Sequence, residues 1–164
     1  GVQALCEGLG RGAAPSLRAL HIAYNKCGPA GTEALAAALG RGAMPKLEIL
    51  FLLGNPLGNQ GITALAAPLR KMPALKTMML SRCEIGDEGV ASLFDNLGKD
   101  DFKALEHLWL NHNKITDAGV AKLLAGLNAG GLPKLIDHYY LLKDNPASAV
   151  AVEAVKHALV KRSQ

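Results

Sequence analysis

The sequence predicts an α/β solenoid with short parallel strands along a concave face and helices along the convex one. A nine-residue pattern carries that prediction, apolar at its first, fourth and sixth places and closed by asparagine. It recurs at a nearly constant step, and a helical pattern follows it in phase. The clearest copy is LEHLWLNHN, Leu105 to Asn113. Earlier copies begin at Leu17, Leu47 and Leu75, and a looser one runs from Asp137 to Asn145.

The elements follow in order. The closing residues are Asn25, Asn55, Cys83, Asn113 and Asn145, spaced by 30, 28, 30 and 32 residues. Before each one, alternating apolar and variable residues predict a strand. Ten residues after them stand Leu35, Leu65, Leu93, Leu123 and Val155, and fourteen after them Leu39, Leu69, Leu97, Leu127 and Leu159. A spacing of four is one face of a helix, so each unit reads strand, turn, helix. Gly31, Gly61, Gly89 and Gly119 recur six places after the closing residue, where a missing side chain lets the helix start lie close to the strand layer. Thr116, Asp117 and Asp87 offer capping oxygens at the helix starts. Pro68 removes a donor late in the second helical segment and is expected to shorten or kink it, in keeping with the 28-residue step that follows.

The closing asparagine has a structural role. Where the backbone turns inward after a strand, buried amides need partners that strand and helix do not supply, and a side chain with both donor and acceptor bridges neighbouring turns. Cys83 fits the same slot with poorer hydrogen bonding. Gly1, Leu5 and Leu9 align with Gly31, Leu35 and Leu39, so the chain starts inside a helix whose own strand is absent, and further repeats or another domain are expected upstream. The whole reads as one domain over 1–164, with a partial repeat at 1–16 and repeats at about 17–46, 47–74, 75–104, 105–134 and 135–164.

Composition narrows the classes. With 49% hydrophobic residues in 164, a continuous core is expected. No apolar run is long enough to insert in a membrane, and GVQALCEGLG lacks the basic flank and apolar core of a signal peptide. Cys6, Cys27 and Cys83 are few, odd in number and far apart, which argues against a disulfide framework and for an intracellular, cytoplasmic setting. The net charge of +4, without dense basic blocks interleaved with aromatics, gives nucleic acid only a weak electrostatic case, and no nucleic-acid partner is expected.

These residues resemble the leucine-rich repeat family, in particular its ribonuclease-inhibitor-like class. The signature L-x-x-L-x-L-x-x-N/C-x-L is met by Leu17, Leu20, Ile22, Asn25, Cys27; by Leu47, Leu50, Leu52, Asn55, Leu57; by Leu75, Met78, Leu80, Cys83, Ile85; and by Leu105, Leu108, Leu110, Asn113, Ile115. The resemblance implies a curved solenoid, or horseshoe, with strands inside and helices outside. The last unit departs from it, with Asp137 and Tyr140 where leucines belong and Ala147 and Ala151 where an aliphatic residue and a glycine are expected.

Strand alternation places the third, fifth and seventh residues of each copy on the concave face. The middle row is His21, Phe51, Met79, Trp109 and, in the looser register, Leu141. Ile49 and Leu53 flank Phe51, His107 and Asn111 flank Trp109, and Tyr139 lies near the end. A contiguous apolar stripe carrying aromatics is the signature of a protein-binding surface. A second row, Arg18, Glu48, Lys76, Glu106 and His138, alternates in sign and is expected to form a solvated ladder. The connections leading to the strands hold Arg11, Arg41, Lys46, Arg70, Lys71, Lys99, Lys103 and Lys134 against Asp100 and Asp101, which makes one rim basic.

Nothing in the sequence points to chemistry. His21, His107, His112, His138 and His157 show no metal-ligand spacing, and no Cys-x-x-Cys, phosphate loop or nucleophile elbow occurs. No catalytic residue, metal, cofactor or small-molecule ligand is therefore expected. The reading is a scaffold, or a structural subunit of a larger complex, that grips a protein partner along the concave face. The family resemblance implies an alternative, a regulatory fragment of a Ran-type GTPase-activating protein or of an innate-immune-receptor-like sensor. The basic tail Lys161, Arg162 departs from the acidic tail of the former.

Overall fold

A computed structural model describes residues 1–136 and 139–164. The described residues form one parallel sheet of four short strands, in the order β1-β2-β3-β4, with six helices. The elements are α1 (Val2–Gly10), β1 (Ala19–His21), α2 (Pro29–Gly40), β2 (Ile49–Phe51), α3 (Gly58–Arg70), β3 (Thr77–Met79), α4 (Asp87–Phe94), β4 (His107–Trp109), α5 (Asp117–Asn128) and α6 (Ala149–Arg162). Each strand pairs with the next in sequence, and each helix packs on the next helix. Every element therefore touches its homologues one repeat away, as a solenoid requires.

The register makes the repeats coincide residue by residue. Leu20 pairs with Leu50, Leu50 with Met78 and Met78 with Leu108, while His21, Phe51, Met79 and Trp109 stack in the row beside them. The first row faces the helices and is buried, as are Leu35, Leu65, Leu93, Leu123 and Val155 on the helices. One continuous apolar core lies between sheet and helices. Leu97 departs from its expected place. α4 ends at Phe94, so Leu97 lies in the following connection and is only half-buried.

Pro68 does not shorten its helix. α3 runs thirteen residues with Pro68 in its last turn, and the short step arises in the next connection, 71–76, which lacks two residues present in 41–48. Gly12 and Gly42 close the longer connections at φ +82 and +71, and the shorter one has no counterpart. The two residues dropped thus include the one that needed a left-handed turn.

The asparagine ladder explains how the turns stack. Asn55 Oδ1 accepts from the backbone N–H groups of Asn25 (3.1 Å) and Cys27 (2.8 Å), and its Nδ2 donates to the carbonyls of Ile22 (2.8 Å) and Leu52 (2.9 Å). Asn113 repeats this with Cys83 and Ile85 as donors and Leu80 and Leu110 as acceptors. Asn145 repeats it with Asn113 and Ile115 as donors and Leu110 and Leu142 as acceptors. Cys83 has no oxygen to offer, and its thiol donates to the carbonyls of Leu52 and Ser81. The turn before it compensates locally. The Leu57 N–H bonds to the Asn55 carbonyl (2.8 Å), the Gly58 N–H reaches the Cys83 carbonyl (2.9 Å), and Gly58 adopts φ +63. Asn25 is exposed, and its amide bonds back to the Ala23 carbonyl.

Helix starts are capped from the preceding repeat. Asp87 belongs to the first turn of α4 but accepts from the Thr116 and Gly119 N–H groups at the start of α5 (2.8 and 3.0 Å). Asn59 in α3 does the same for Gly86 and Gly89 (2.8 and 3.0 Å), and Asp117 in α5 for Ser148 (2.6 Å). Thr116 caps its own helix through the Ala118 N–H. Two of the recurrent glycines make room for these caps as well as for the turn after their own strand: a Cβ on Gly119 would lie 2.4 Å from Asp87 Oδ1 and 2.9 Å from Ile115, and one on Gly89 2.8 Å from Asn59 Oδ1 and 3.0 Å from Ile85. One on Gly31 would instead meet Cys27 Sγ at 3.0 Å, and one on Gly61 would meet Thr32 at 3.2 Å.

Candidate partner-binding face

The open sheet face is built from the strand residues whose side chains point away from the helices. His21 and Phe51 stack across β1 and β2 with ring centroids 4.1 Å apart. Met79 pairs with Phe51 on one side and with Trp109 on the other. Phe51, Met79 and Trp109 are half-exposed and His21 is exposed, so the row is both supported and open. Ile49 and Leu53 flank it half-exposed, as does His107 beside Trp109. Half-buried aromatics held by neighbours lose little rotamer freedom on binding, which is what an anchor needs.

Two members of the expected site lie elsewhere. Leu141 is 1% exposed and belongs to the core. Backbone bonds show why. The Ile22, Leu52 and Leu80 N–H groups bond to the Phe51, Met79 and Trp109 carbonyls, but in the last repeat the corresponding Leu110 N–H is shared between the Leu141 (3.1 Å) and Tyr140 (3.3 Å) carbonyls, and the Asn111 N–H also reaches Tyr140. Tyr140 and Leu141 thus share the place opposite Trp109: the Tyr140 ring lies against Trp109, and one extra residue turns both Leu141 and Leu142 inward. This insertion accounts for part of the 32-residue step. Asn111 is 8% exposed, accepts a hydrogen bond from the Ser81 hydroxyl, and forms part of the support rather than of the open contact surface.

The substitution at the last repeat enlarges the aromatic cluster. Trp109 and Tyr140 lie 4.5 Å apart by ring centroid, Tyr140 and Tyr139 meet edge to face at 4.6 Å, and Lys143 Nζ sits 3.2 Å from the Tyr139 hydroxyl. Tyr139 is more than half exposed and Tyr140 about one-third. At the other end, Tyr24 is 65% exposed and lies over Gly54, where a Cβ would come within 2.4 Å of its ring. Neither Tyr140 nor Tyr24 was assigned to the surface by the repeat pattern. Tyr140 fell on a place reserved for leucine, and Tyr24 stands just before the asparagine, at φ +55, where the pattern assigns no role.

Around this face the charges are arranged in pairs. Glu48 accepts from Arg18 at 3.1 Å and lies 3.9 Å from Lys76, so the first three members of the alternating row form ion pairs; His138 lies outside the described residues. Arg70 and Lys71 do not join a free basic rim. Both bind Asp101, which is 4% exposed, at 2.8 and 2.5 Å. Burial pushes the Asp101 carboxyl up, but the hydrogen bonds from Lys71, the Gly98 N–H and Arg70 outweigh it and hold the group at about 2. Arg70 also donates to the Asp95 and Asn96 carbonyls and so fixes the connection after α4.

Reactive groups are kept quiet. Burial pushes the Cys6 thiol up to about 11, with Cys27 adding to it, and burial likewise lifts Cys83 to about 12 against the opposing Asn55 and Gly54 backbone hydrogen bonds. A protonated, buried thiol is a poor nucleophile. The three cysteines are unpaired, and among the described residues no cluster of His, Cys, Asp or Glu is set to hold a metal.

Sheet, helices and asparagine ladder together define a leucine-rich-repeat solenoid. The family model described as Leucine Rich repeat matches residues 13–36, 73–94 and 104–124. Among solved structures, the chain is similar to the Leiomodin-1 Actin-Binding Site 2, with a TM-score of 0.76 at 14% identity over 96% of this chain and 87% of that one. It is also similar to the tropomodulin C-terminal domain of Caenorhabditis elegans, with a TM-score of 0.74 at 14% identity over 99% and 93% of the two chains. No curated protein matches the sequence. Among the described residues no helix is long and apolar enough to cross a membrane.

Proposed function

We propose that this protein is a non-enzymatic scaffold whose open sheet face binds a protein partner, with Phe51, Met79 and Trp109 as central anchors. The observation that carries the reading is the half-exposed row His21, Phe51, Met79, Trp109, Tyr140, continuous across the repeats and enriched in rings although the chain holds only 4% aromatic residues. Ile49, Leu53, His107 and Tyr139 border the row, and the asparagine ladder holds it in register. Unpaired, buried thiols support an intracellular setting.

Actin is the first partner to test, because the similar leiomodin-1 domain carries an actin-binding site. At 14% identity that similarity supports the choice of probe and no residue of the contact. The expected result is co-sedimentation with filaments, or retention of monomeric actin, by the native chain. Exchange of Phe51 and Trp109 for alanine is expected to lower affinity for whichever partner binds, by about 2 kcal/mol per anchor, without unfolding the domain. Equal capture of the partner by the native chain and by the folded double variant would overturn the assignment. The ribonuclease-inhibitor-like class also suggests GTPase regulation, and single-turnover GTP hydrolysis with added chain tests that second reading directly.

A further inference from the structure

We propose that the edge of the solenoid where the chain enters its strands docks an acidic polypeptide segment, separately from the aromatic face. The connections 11–18, 41–48, 71–76, 95–106 and 129–136 all lie on this edge, because each leads from a helix to the same end of a parallel sheet or to its continuation. Backbone bonds stack them in register: the Glu48 N–H bonds to Arg18, Lys76 to Glu48, Glu106 to Lys76 and Ile136 to Glu106.

The charge on this edge is unbalanced. Arg11, Arg41, Lys46, Lys99, Lys103 and Lys134 are exposed, and among the described residues none of their side chains makes a hydrogen bond or an ion pair. Of the five acidic residues on these connections, Asp101 is buried and engaged by Arg70 and Lys71, Glu48 pairs with Arg18 and Lys76, and Asp95 pairs with Lys122, which leaves the exposed Asp100 and the half-buried Glu106 against the six cations. Helix dipoles account for Arg11 and Arg41, which are C-cap residues of α1 and α2. They do not account for Lys46, Lys103 and Lys134, which lie beyond the last helical turn. Adjacent strands are about 4.8 Å apart and charges interact over a Debye length of about 8 Å, so cations on adjoining connections act together on a partner. They fall in two groups, on 11–18 with 41–48 and on 95–106 with 129–136, because Lys71 and Lys76 of the connection between them are ion-paired.

The shape of the edge favours an acidic protein segment over other anions. Phe102, the aromatic residue of these connections, is buried, so no exposed ring is available there to stack on bases. The cations are carried by connections that stack one on the next across the repeats, which suits an extended chain crossing them.

The test is fluorescence anisotropy of a labelled oligo-glutamate peptide with the native chain, between about 50 and 200 mM salt. Binding that weakens with salt is expected, and it should fall about tenfold in the variant Lys46→Glu, Lys103→Glu, Lys134→Glu. A control variant on the opposite edge, Lys26→Glu, Lys114→Glu, should keep the native affinity, and Phe51→Ala should also leave it unchanged. The milder set Lys46→Gln, Lys103→Gln, Lys134→Gln, checked by its melting curve, should show a smaller loss in the same direction. Absence of peptide binding at the lower salt, or equal losses in the two edge variants, overturns the proposal. So does tighter binding of phosphatidylserine vesicles or of duplex DNA than of the peptide. Loss with Phe51→Ala but not with the lysine variants would assign the acidic segment to the aromatic face instead, and failure of the basic edge leaves the aromatic-face reading untouched.

Discussion

A single asparagine oxygen decides whether two successive repeats share a turn. Asn113 satisfies two backbone donors and two backbone carbonyls, and is itself 8% exposed. Replacing it with alanine leaves those groups in the core without partners and is expected to cost about 3 kcal/mol in urea unfolding. Asn25→Ala should cost less than about 1 kcal/mol, because Asn25 is exposed and the Asn25 amide makes one local bond. Equal losses at the two positions would mean that the ladder is not what the asparagine supplies. At the helix starts, Gly119→Ala forces a Cβ against Asp87 Oδ1 and is expected to destabilise by about 1 to 2 kcal/mol, whereas glycine to alanine in an unobstructed helix stabilises. In the Asp87→Ala background the carboxylate and the cap are gone while Ile115 Cγ2 (2.9 Å) and the residue 87 Cα (3.2 Å) still crowd the position, so the same change should cost less but not become favourable. A double-mutant cycle on thermal melts reads that difference.

The connection after α4 is the element most dependent on charge. It spans residues 95–106, longer than the other connections between helix and strand, and Arg70, Lys71 and Asp101 tie it to the end of α3. Phe102 then fits into the core against Phe94, with ring centroids 5.9 Å apart. Because the folded-state value of Asp101, at about 2, lies below that of an unfolded aspartate, its contribution is fully present above about pH 4. It is lost as pH falls from there through about 2. Acid titration of unfolding free energy should show this loss, of about 2 kcal/mol. Asp101→Asn should be less stable by a similar amount at neutral pH and should flatten that part of the acid limb. A variant whose acid limb keeps the native slope would show that other carboxylates carry the effect.

Across the whole molecule, stability and recognition are placed on opposite sides of the sheet. Leu50, Met78 and Leu108 point into the core, while their neighbours Phe51, Met79 and Trp109 stay half-exposed. The Phe51→Ala, Trp109→Ala variant should therefore lose partner binding while its urea midpoint changes far less than that of Leu108→Ala, for which about 2 to 5 kcal/mol is expected. In the native chain, Trp109 fluorescence should remain accessible to an aqueous quencher. An indole fully shielded from quencher would mean that the face is covered and is not a docking surface.

The sequence by itself determined the repeat, the alternation of strand and helix, and the middle row from His21 to Trp109. Those features are periodic, and a solenoid turns period directly into position, because each residue meets its own homologue one repeat away. The asparagine slots were legible for the same reason, down to the cysteine that fills one of them with weaker bonds. Only the tertiary structure decided where the period breaks. One extra residue near Tyr140 moved Leu141 from the surface to the core and brought a second ring against Trp109. Asp87 looked like a cap for its own helix until the next helix was seen packed above it. Arg70 and Lys71 read as free rim charges until Asp101 folded back beneath them. In each case the deciding contact lies about one repeat away in sequence and depends on how a connection packs, and the local pattern of residues does not encode it.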